Sequence, residues 1–465
     1  MPITIYMPYL KSSKFCGALI QTIILVGFLS FSLISYAQST LKDLLQKVEA
    51  NYPAIQAQKK MSEAAKEGIK ISKVDALPSL DAAYQLNYAT FNNISGQASP
   101  LAWIPISGPP SSTNKFGGIF GSTLGLLANW QPITFGQRQF QINRAESEFN
   151  LVLADEQNTI YLQQSKVINA YLDYMYAQSF LAINQENIDR LTIQFSQARA
   201  LASAGLRPGV DTALVKSELS KAKVDLMQTQ NAVRIKSIIL SELSAEQNIN
   251  STFDSTFYIK IPSQHSGNNI QSNPVLAFGK QYILRLESQK KILETQWYPK
   301  LHFLGTLYGR GSGVNAFGEV NSINGLGLSR FNYGFAAQIS MPLLSKSKIN
   351  IQVKQQDYLI QAAQSNLSQS EWQLSKEKET ANALFQNAHN IAEEMPMQLE
   401  SARYAYDAMQ SRYDAGLVNY TDLLQVQYNL TLAQMNSYKA RFELWKALLY
   451  QSTIAGDLNI FLNEY

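Results

Sequence analysis

Residues 203–222, SAGLRPGVDTALVKSELSKA, recur as residues 414–433, DAGLVNYTDLLQVQYNLTLA, at a displacement of 211 positions. Each segment has an Ala-Gly-Leu turn, an aspartate six residues after the glycine, and then apolar residues spaced by three and four. Glycine commonly ends a helix, and the later spacing is typical of a helix packed along others. Each segment therefore predicts a turn between two packed helices, and the recurrence indicates an internally duplicated chain.

The helices beside these turns are predicted to be very long. Residues 137–204 contain no Pro or Gly, and apolar residues between 160 and 198 recur at spacings of three, four or seven. At 1.5 Å per residue such a helix reaches roughly 100 Å. In the second half we expect helices at about Lys348–Tyr413, bent at Pro396, and at Asp422–Leu449. These lengths favour a tube or a coiled-coil stalk over an ordinary globular domain.

Short strands are predicted before each long helical hairpin. Leu80 to Tyr88 alternate between apolar and mostly polar residues, and a second strand is predicted at Phe116–Trp130. The second half has matching candidates at about Leu301–Tyr308 and Asn332–Met341. The glycine-rich stretch at 309–313 faintly resembles a phosphate-binding loop but lacks the strand-turn-helix context, so we interpret it as a hairpin tip.

Matched prolines extend the repeat towards the amino terminus. Two pairs, each 25 residues apart, are displaced from one another by 221 positions: Pro53 with Pro78, and Pro274 with Pro299. The predicted organisation is a first repeat at about 41–248, a polar linker at 249–271 and a second repeat at about 272–458. The change of displacement falls in the strand region, where loops absorb differences in length.

The amino terminus has the order of segments found in a secretory signal peptide. Lys11 and Lys14 precede an apolar run at 17–34, and Ser35-Tyr36-Ala37 supplies small residues for cleavage. We expect a signal peptide at 1–37 and a mature chain at 38–465, without fixing the cleavage site. A single anchoring helix is the alternative, since the run is near the lower length for a membrane span.

Composition argues against catalysis and against nucleic acid as a partner. Removal of residues 1–37 leaves no cysteine, because Cys16 is the only one, and the mature charge is +2. His265, His302 and His389 have no spacing suggestive of a metal site or a catalytic triad. The sequence thus predicts neither an enzyme nor a bound cofactor or metal.

Four strands with one apolar face are too few to close a barrel, and helices with several apolar stripes need neighbours. Three chains would supply twelve strands for a membrane β-barrel and twelve helical lanes for a tunnel. Trp130 and Trp297 lie at strand-helix junctions, where an aromatic belt at the membrane interface is expected. Packing into a core corner is the alternative for both.

The sequence resembles the TolC-like outer-membrane efflux family from Leu41 to about Leu458. The features that carry the resemblance are the Asn51-Tyr52-Pro53 opening, the Leu77-Pro78 and Tyr298-Pro299 breaks, the Trp130-Gln131-Pro132 strand end, and the paired Ala-Gly-Leu turns. The resemblance implies a mostly α-helical homotrimer with a 12-stranded β-barrel in outer-membrane lipid and an α-helical barrel in the periplasm of a Gram-negative cell. It also implies a channel for substrates exported by an inner-membrane pump of the RND, ABC or MFS type.

In that family the hairpin tips meet a periplasmic adaptor protein, also called a membrane fusion protein. Carried over by position, the docking tips are Ala204, Gly205, Leu206, Ala415, Gly416 and Leu417. The resemblance further assigns Asp211, Asp422 and Tyr413 to the periplasmic aperture. Helix capping by each aspartate is a compatible role. Val418 and Gln425 replace an arginine and an aspartate of better-known members, which leaves the way the aperture closes open.

Two other classes of protein fit the sequence less well. A periplasmic coiled-coil adaptor or stalk should have one helical hairpin between small β domains, whereas this chain has two hairpins with strands between them. A secreted enzyme on a helical scaffold should show a clustered catalytic set. The sequence does not identify the cargo, whether drug, metal, siderophore or protein, nor which pump is served.

Overall fold

The computed structural model describes residues 41–94, 108–246, 256–263 and 269–465. The predicted signal peptide lies outside these ranges, as do parts of the first strand-to-strand loop and of the predicted linker. The described residues form two compact units. The first comprises those up to 48 and from 170 to 260, and the second comprises 49–169 and those from 261 to 465.

Helices and strands alternate along the chain in two similar successions. The first is α1 (Leu41–Asn51), α2 (Pro53–Val74), β1 (Ser79–Ala89), β2 (Ile119–Trp130), α3 (Gln137–Ser203) and α4 (Gly209–Ser244). The second, after the short helix α5 (Thr256–Ile259), is α6 (Pro274–Thr295), β3 (Lys300–Ser312), β4 (Arg330–Ser340), α7 (Lys346–Asp414), α8 (Tyr420–Ala455) and α9 (Asn459–Glu464).

Several boundaries differ from the predicted ones for local reasons. The helical segment before the first strand divides into two helices at Tyr52, because this residue is extended and Pro53 starts a new helix with its φ already preset. Helix α7 includes Pro396 and begins at Lys346, two residues before its predicted start, while the bend expected at Pro396 stays a prediction. Strand β3 extends to Ser312, so Gly309–Ser312 lie within the ladder rather than at a hairpin tip.

One antiparallel sheet forms in the second unit, in the order β1-β2-β3-β4. Tyr84 lies opposite Leu124, Leu126 opposite Leu307, and Leu307 opposite Tyr333. Because residues directly opposite in a ladder point to the same side, this register assigns every strand residue to one of two faces. Strands β1 and β4 form the edges of the sheet.

The apolar face is formed by alternate residues of all four strands. Its main members are Leu80, Tyr84, Leu86, Tyr88, Phe120, Leu124, Leu126, Trp130, Leu301, Phe303, Leu307, Phe331, Tyr333, Phe335 and Ile339. The polar face is formed by the intervening residues, including Asp81, Gln85, Asn87, Thr123, Asn129, Lys300, His302, Thr306, Arg310, Arg330, Asn332 and Gln338. The sheet is thus two-faced along its whole described length.

Helix packing in the first unit rests on buried aliphatic residues and a few polar links. Val215 and Leu240 of α4 are fully buried. Asn184 Nδ2 of α3 donates to Thr229 Oγ1 of α4 at 2.7 Å. These contacts join the two helices along their length, which is the arrangement expected of a helical hairpin.

In the second unit the largest fully buried side chain is Trp445 of α8, which meets Phe461 of α9 edge to face. Asn273 links two helix ends there: its Oδ1 accepts from Val275 N at 3.0 Å, and its Nδ2 donates to Ile454 O at 3.1 Å. One buried side chain therefore caps the start of α6 and satisfies a carbonyl in the last turn of α8.

Within the described ranges, no helix combines the length and the apolar character needed to cross a membrane.

Candidate functional site

The turn of the first hairpin has the geometry of a Schellman motif. Gly205 adopts a φ of +72°, and its N–H donates to Ala202 O at 3.1 Å while Leu206 N donates to Leu201 O at 3.0 Å. Glycine carries no Cβ penalty in this left-handed conformation, which explains its place at the helix end. Leu206 is 71% exposed, so an apolar side chain stands at the tip.

The turn of the second hairpin repeats this geometry in the other unit. Gly416 has a φ of +78°, its N–H donates to Tyr413 O at 2.9 Å, and Leu417 N donates to Arg412 O at 2.9 Å. Leu417 is also 71% exposed. Ala204 and Ala415 precede the two glycines and are exposed as well. The six residues predicted as docking tips thus form two exposed turns of the same type.

The predicted capping role of the two aspartates is wrong. Helix α4 starts at Gly209 after Pro208, and α8 starts at Tyr420 after Asn419, so each aspartate is the third helical residue. In α8 the cap is Asn419, whose Oδ1 accepts from Asp422 N at 2.9 Å. A carboxylate in the first turn is still favoured, because it faces the positive end of the helix dipole.

The environments of the two aspartates differ. Asp211 is 8% exposed, whereas Asp422 is exposed. Near Asp211, Thr212 Oγ1 donates to Ala198 O at 3.3 Å and ties the first turn of α4 to the end of α3. The two positions match in sequence, but only Asp422 presents its carboxylate to solvent in the single chain.

Tyr413 lies in the last turn of α7 and is 3% exposed. Its ring meets that of Tyr420 edge to face at a centroid distance of 5.9 Å, and Tyr420 is also buried. The first repeat has Ala202 and Gly209 at the matching positions. The tyrosine pair therefore fastens the two helices of the second hairpin just behind its tip, a contact that the first hairpin does not have.

Val418 and Gln425 occupy the positions that differ from the expected latch. Val418 is half-buried in the turn, while Gln425 is exposed and donates from Nε2 to Asn429 Oδ1 at 3.2 Å, one turn further along α8. No group of His, Cys, Asp or Glu side chains in the described ranges is arranged to hold a metal ion. His302 instead lies within 3.2 Å of Gln131 Nε2.

The apolar face of the sheet is largely exposed in the single chain. On the edge strand β4, Tyr333 and Phe335 are 80% and 87% exposed. Trp130, at the helical end of β2, donates from Nε1 to Ala76 O at 3.0 Å and lies near Phe303. Exposed apolar surface of this extent marks a face that meets lipid or another chain.

The profile of the outer membrane efflux protein family matches residues 44–246 and 267–450. The chain belongs to this family. Its members are outer-membrane efflux channels, so the protein is a channel protein of the outer membrane and not an enzyme. The predicted membership of the TolC-like family, the predicted location and the predicted absence of catalysis are thereby confirmed.

Solved structures of outer-membrane channels have the same fold. The outer-membrane channel OprN gives a TM-score of 0.69 at 14% identity, covering 90% of this chain and 89% of that one. CusC, described in connection with transmembrane channel formation, gives 0.70 at 14%, covering 90% and 93%. The Campylobacter jejuni outer membrane channel CmeC gives 0.71 at 13%, covering 90% and 85%. Among curated proteins, the comparison found no significant match.

The sequence prediction missed the residue that caps α8. Asn419 is that cap, and the signal was available, because asparagine is as good a helix cap as aspartate and stands three residues before Asp422. Four strands with one apolar face were predicted correctly. That these faces lie on the same side of one sheet depends on the register between strands, which depends on residues far apart in the sequence.

Proposed function

We propose that three copies of this chain close their sheets into one 12-stranded barrel in the outer membrane, and that the helices continue the channel through the periplasm. The observation that carries the proposal is the two-faced sheet with strands β1 and β4 at its edges. Unpaired edge groups cannot face lipid, so the sheet must close before it can span a membrane.

The dimensions of the sheet suit this role. Leu80 and Tyr88 are the first and last large apolar residues of β1 on the apolar face, and nine residues of strand extend about 30 Å. A tilt of roughly 40° reduces this to a band of about 23 Å, close to the apolar height of outer-membrane barrels. The alternation of directions also allows closure, because β4 of one copy can lie antiparallel to β1 of the next.

The apolar face then contacts lipid, and the polar face lines a water-filled passage. Aromatic residues near the ends of the band, such as Trp130, suit the interface between lipid and water. The alternative of a core corner for Trp130 is less favoured by its exposure of 43%. For Trp297 the ring lies beneath Lys346 Nζ at 5.0 Å, which is compatible with either environment.

The two exposed helix tips are the proposed docking sites for a periplasmic adaptor. Leu206 and Leu417 each present an apolar side chain beyond a glycine, where the backbone of a partner can approach closely. An inner-membrane pump of the RND, ABC or MFS type would then deliver the cargo. The aperture role of Asp211, Asp422 and Tyr413 belongs to the same proposal, with closure relying on packing of the tyrosine pair because Val418 and Gln425 provide no charged latch.

A bilayer recording combined with a mass measurement tests the channel. Purified protein should have a mass of about three times the 52.0 kDa chain, less any cleaved leader, and should give discrete conductance steps in a planar bilayer. A monomer without conductance would refute the proposal. Replacing Asp211 and Asp422 by asparagine should alter conductance or cation preference, and unchanged values would refute the aperture role.

The adaptor site is tested by binding to a partner encoded beside the gene. Leu206→Ser together with Leu417→Ser should weaken co-purification of the adaptor, and the mass and conductance of the isolated channel should remain those of the wild type. Equal recovery of the adaptor with both proteins would refute docking at the tips.

A further inference from the structure

Two arginines lie directly opposite each other on the polar face of the sheet. Arg310 of β3 pairs in register with Arg330 of β4, and both side chains are exposed. Like charges directly opposite each other destabilise a ladder, so neutral polar residues would suit a merely structural position better. Arg310 belongs to the glycine-rich stretch 309–313, of which Gly309–Ser312 form strand rather than a phosphate-binding loop.

The surroundings of the pair do not neutralise it. None of the ion pairs between described residues includes either arginine; Arg330 Nη1 donates to the backbone oxygen of Ser329 at 3.0 Å. Across the sheet, the same row continues from Arg310 to Thr123 and then to Gln85, both uncharged. The acid nearest in register on this face is Asp81, four residues from Gln85 along β1, or about 13 Å.

The loops at this end add no compensating excess of acid. Glu319 is held by Asn315, whose Nδ2 donates to Glu319 Oε2 at 2.7 Å. Lys115 offsets that carboxylate in the count of charges. This end of the sheet and the described parts of its loops therefore carry a net positive charge, with the two arginines on the polar face.

The geometry points to an anion-attracting ring, formed by Arg310 and Arg330, that favours passage of anionic solutes, such as carboxylates and phosphates, through the barrel. This inference rests on the proposed function, because three copies are needed to bring six guanidinium groups around one passage. Each group presents a planar fork of donors that suits carboxylate or phosphate oxygens. A ring of one sign in a narrow passage raises the local concentration of the opposite ion.

Ion selectivity of the reconstituted full-length channel tests the ring. Reversal potentials in asymmetric KCl give the chloride-to-potassium permeability ratio for the wild type, for R310Q/R330Q and for the charge-preserving control R310K/R330K. A local potential of about one kT alters the ratio of anions to cations about sevenfold, so the glutamine variant should lose roughly that factor. The lysine variant should remain close to the wild type.

Block by tripolyphosphate provides a second measurement, since a constriction elsewhere in the passage could dominate the reversal potential. Tripolyphosphate added to each side in turn should block the wild type from one side, and R310Q/R330Q should need about tenfold more for the same block.

Conducting channels with an unchanged permeability ratio and unchanged block in R310Q/R330Q would overturn the ring while leaving the proposed function intact. A wild type that forms no channel would overturn both. If the double variant fails to assemble, R310Q and R330Q separately should each show part of the change, and two single variants identical to wild type would also overturn the ring.

Discussion

Placing an arginine on either side of β3 distinguishes the two faces of the sheet most sharply. Leu307 lies on the apolar face between Leu126 and Tyr333, and its neighbour Thr306 lies on the polar face. Because the two positions are adjacent in one strand, Leu307→Arg and Thr306→Arg add the same charge at nearly the same depth. The pair therefore isolates the effect of the face that carries the charge.

The expected cost follows from the environment of each face. An arginine on the lipid face of an outer-membrane barrel costs about 2–4 kcal/mol near the bilayer midplane, or about 6–12 kcal/mol over three copies. An arginine lining a watery passage should cost less than about 1 kcal/mol, because its charge stays hydrated. Leu307→Ala measures the part of the loss that comes from removing the leucine alone.

Urea unfolding of the protein in phospholipid vesicles, followed by tryptophan fluorescence, measures these differences. Leu307→Arg should lower the unfolding midpoint well below that of Leu307→Ala, whereas Thr306→Arg should stay near the wild type. Equal destabilisation by the two arginines, or a larger effect at Thr306, would refute the assignment of the faces.

Three further predictions concern the helices. Gly456→Ala should lower the thermal midpoint far more than Gly205→Ala. Both glycines have φ near +75°, but a Cβ at Gly456 would lie 2.4 Å from Asn273 Cα, whereas nothing lies within 4 Å of a Cβ at Gly205. Similar thermal midpoints for the two variants would contradict this. Asn419→Ala should lower the free energy of chemical unfolding by about 1 kcal/mol, and Asp422→Asn should lower it by less, because Asn419 is the cap. A larger loss for Asp422→Asn would show that the aspartate caps the helix. Burial raises the pKa of Tyr161 above its ordinary 10.0, so the wild type should lose stability as pH rises above about 10. Tyr161→Phe should lose less stability over that range. Parallel curves of stability against pH for the two proteins would count against a buried neutral phenol.

The sequence was sufficient for the long helices, because their signals are local. The absence of Pro and Gly through residues 137–204 predicted α3, which ends at Ser203, and glycine predicted both turns because a left-handed residue was needed there. The start of α8 was less predictable. Asparagine at the cap and aspartate at the third helical position both suit a helix start, so Asp422 could not be told from a cap without the backbone.

The sheet was predicted only in part, because its properties depend on pairing between distant strands. The stretch 309–313 has the composition of a turn, yet pairing with β2 keeps Gly309–Ser312 extended. The juxtaposition of Arg310 and Arg330 likewise depends on the length and path of the intervening loop. Neither arginine is distinctive alone, and only the register brings them together.

Cross-linking between copies tests the closed trimeric barrel most directly. Cys16, the only cysteine, is replaced by serine, and one cysteine is placed on β1 as Gln85→Cys, with a second scanned over the polar-face positions Asn332, Gly334, Ala336 and Gln338 of β4. In a closed barrel, at least one pair should oxidise to covalent species of two and three chains, whereas scanned positions on the apolar face, such as Tyr333 and Phe335, should not. Monomers at every position, in protein that still conducts, would contradict closure of the barrel through β1 and β4.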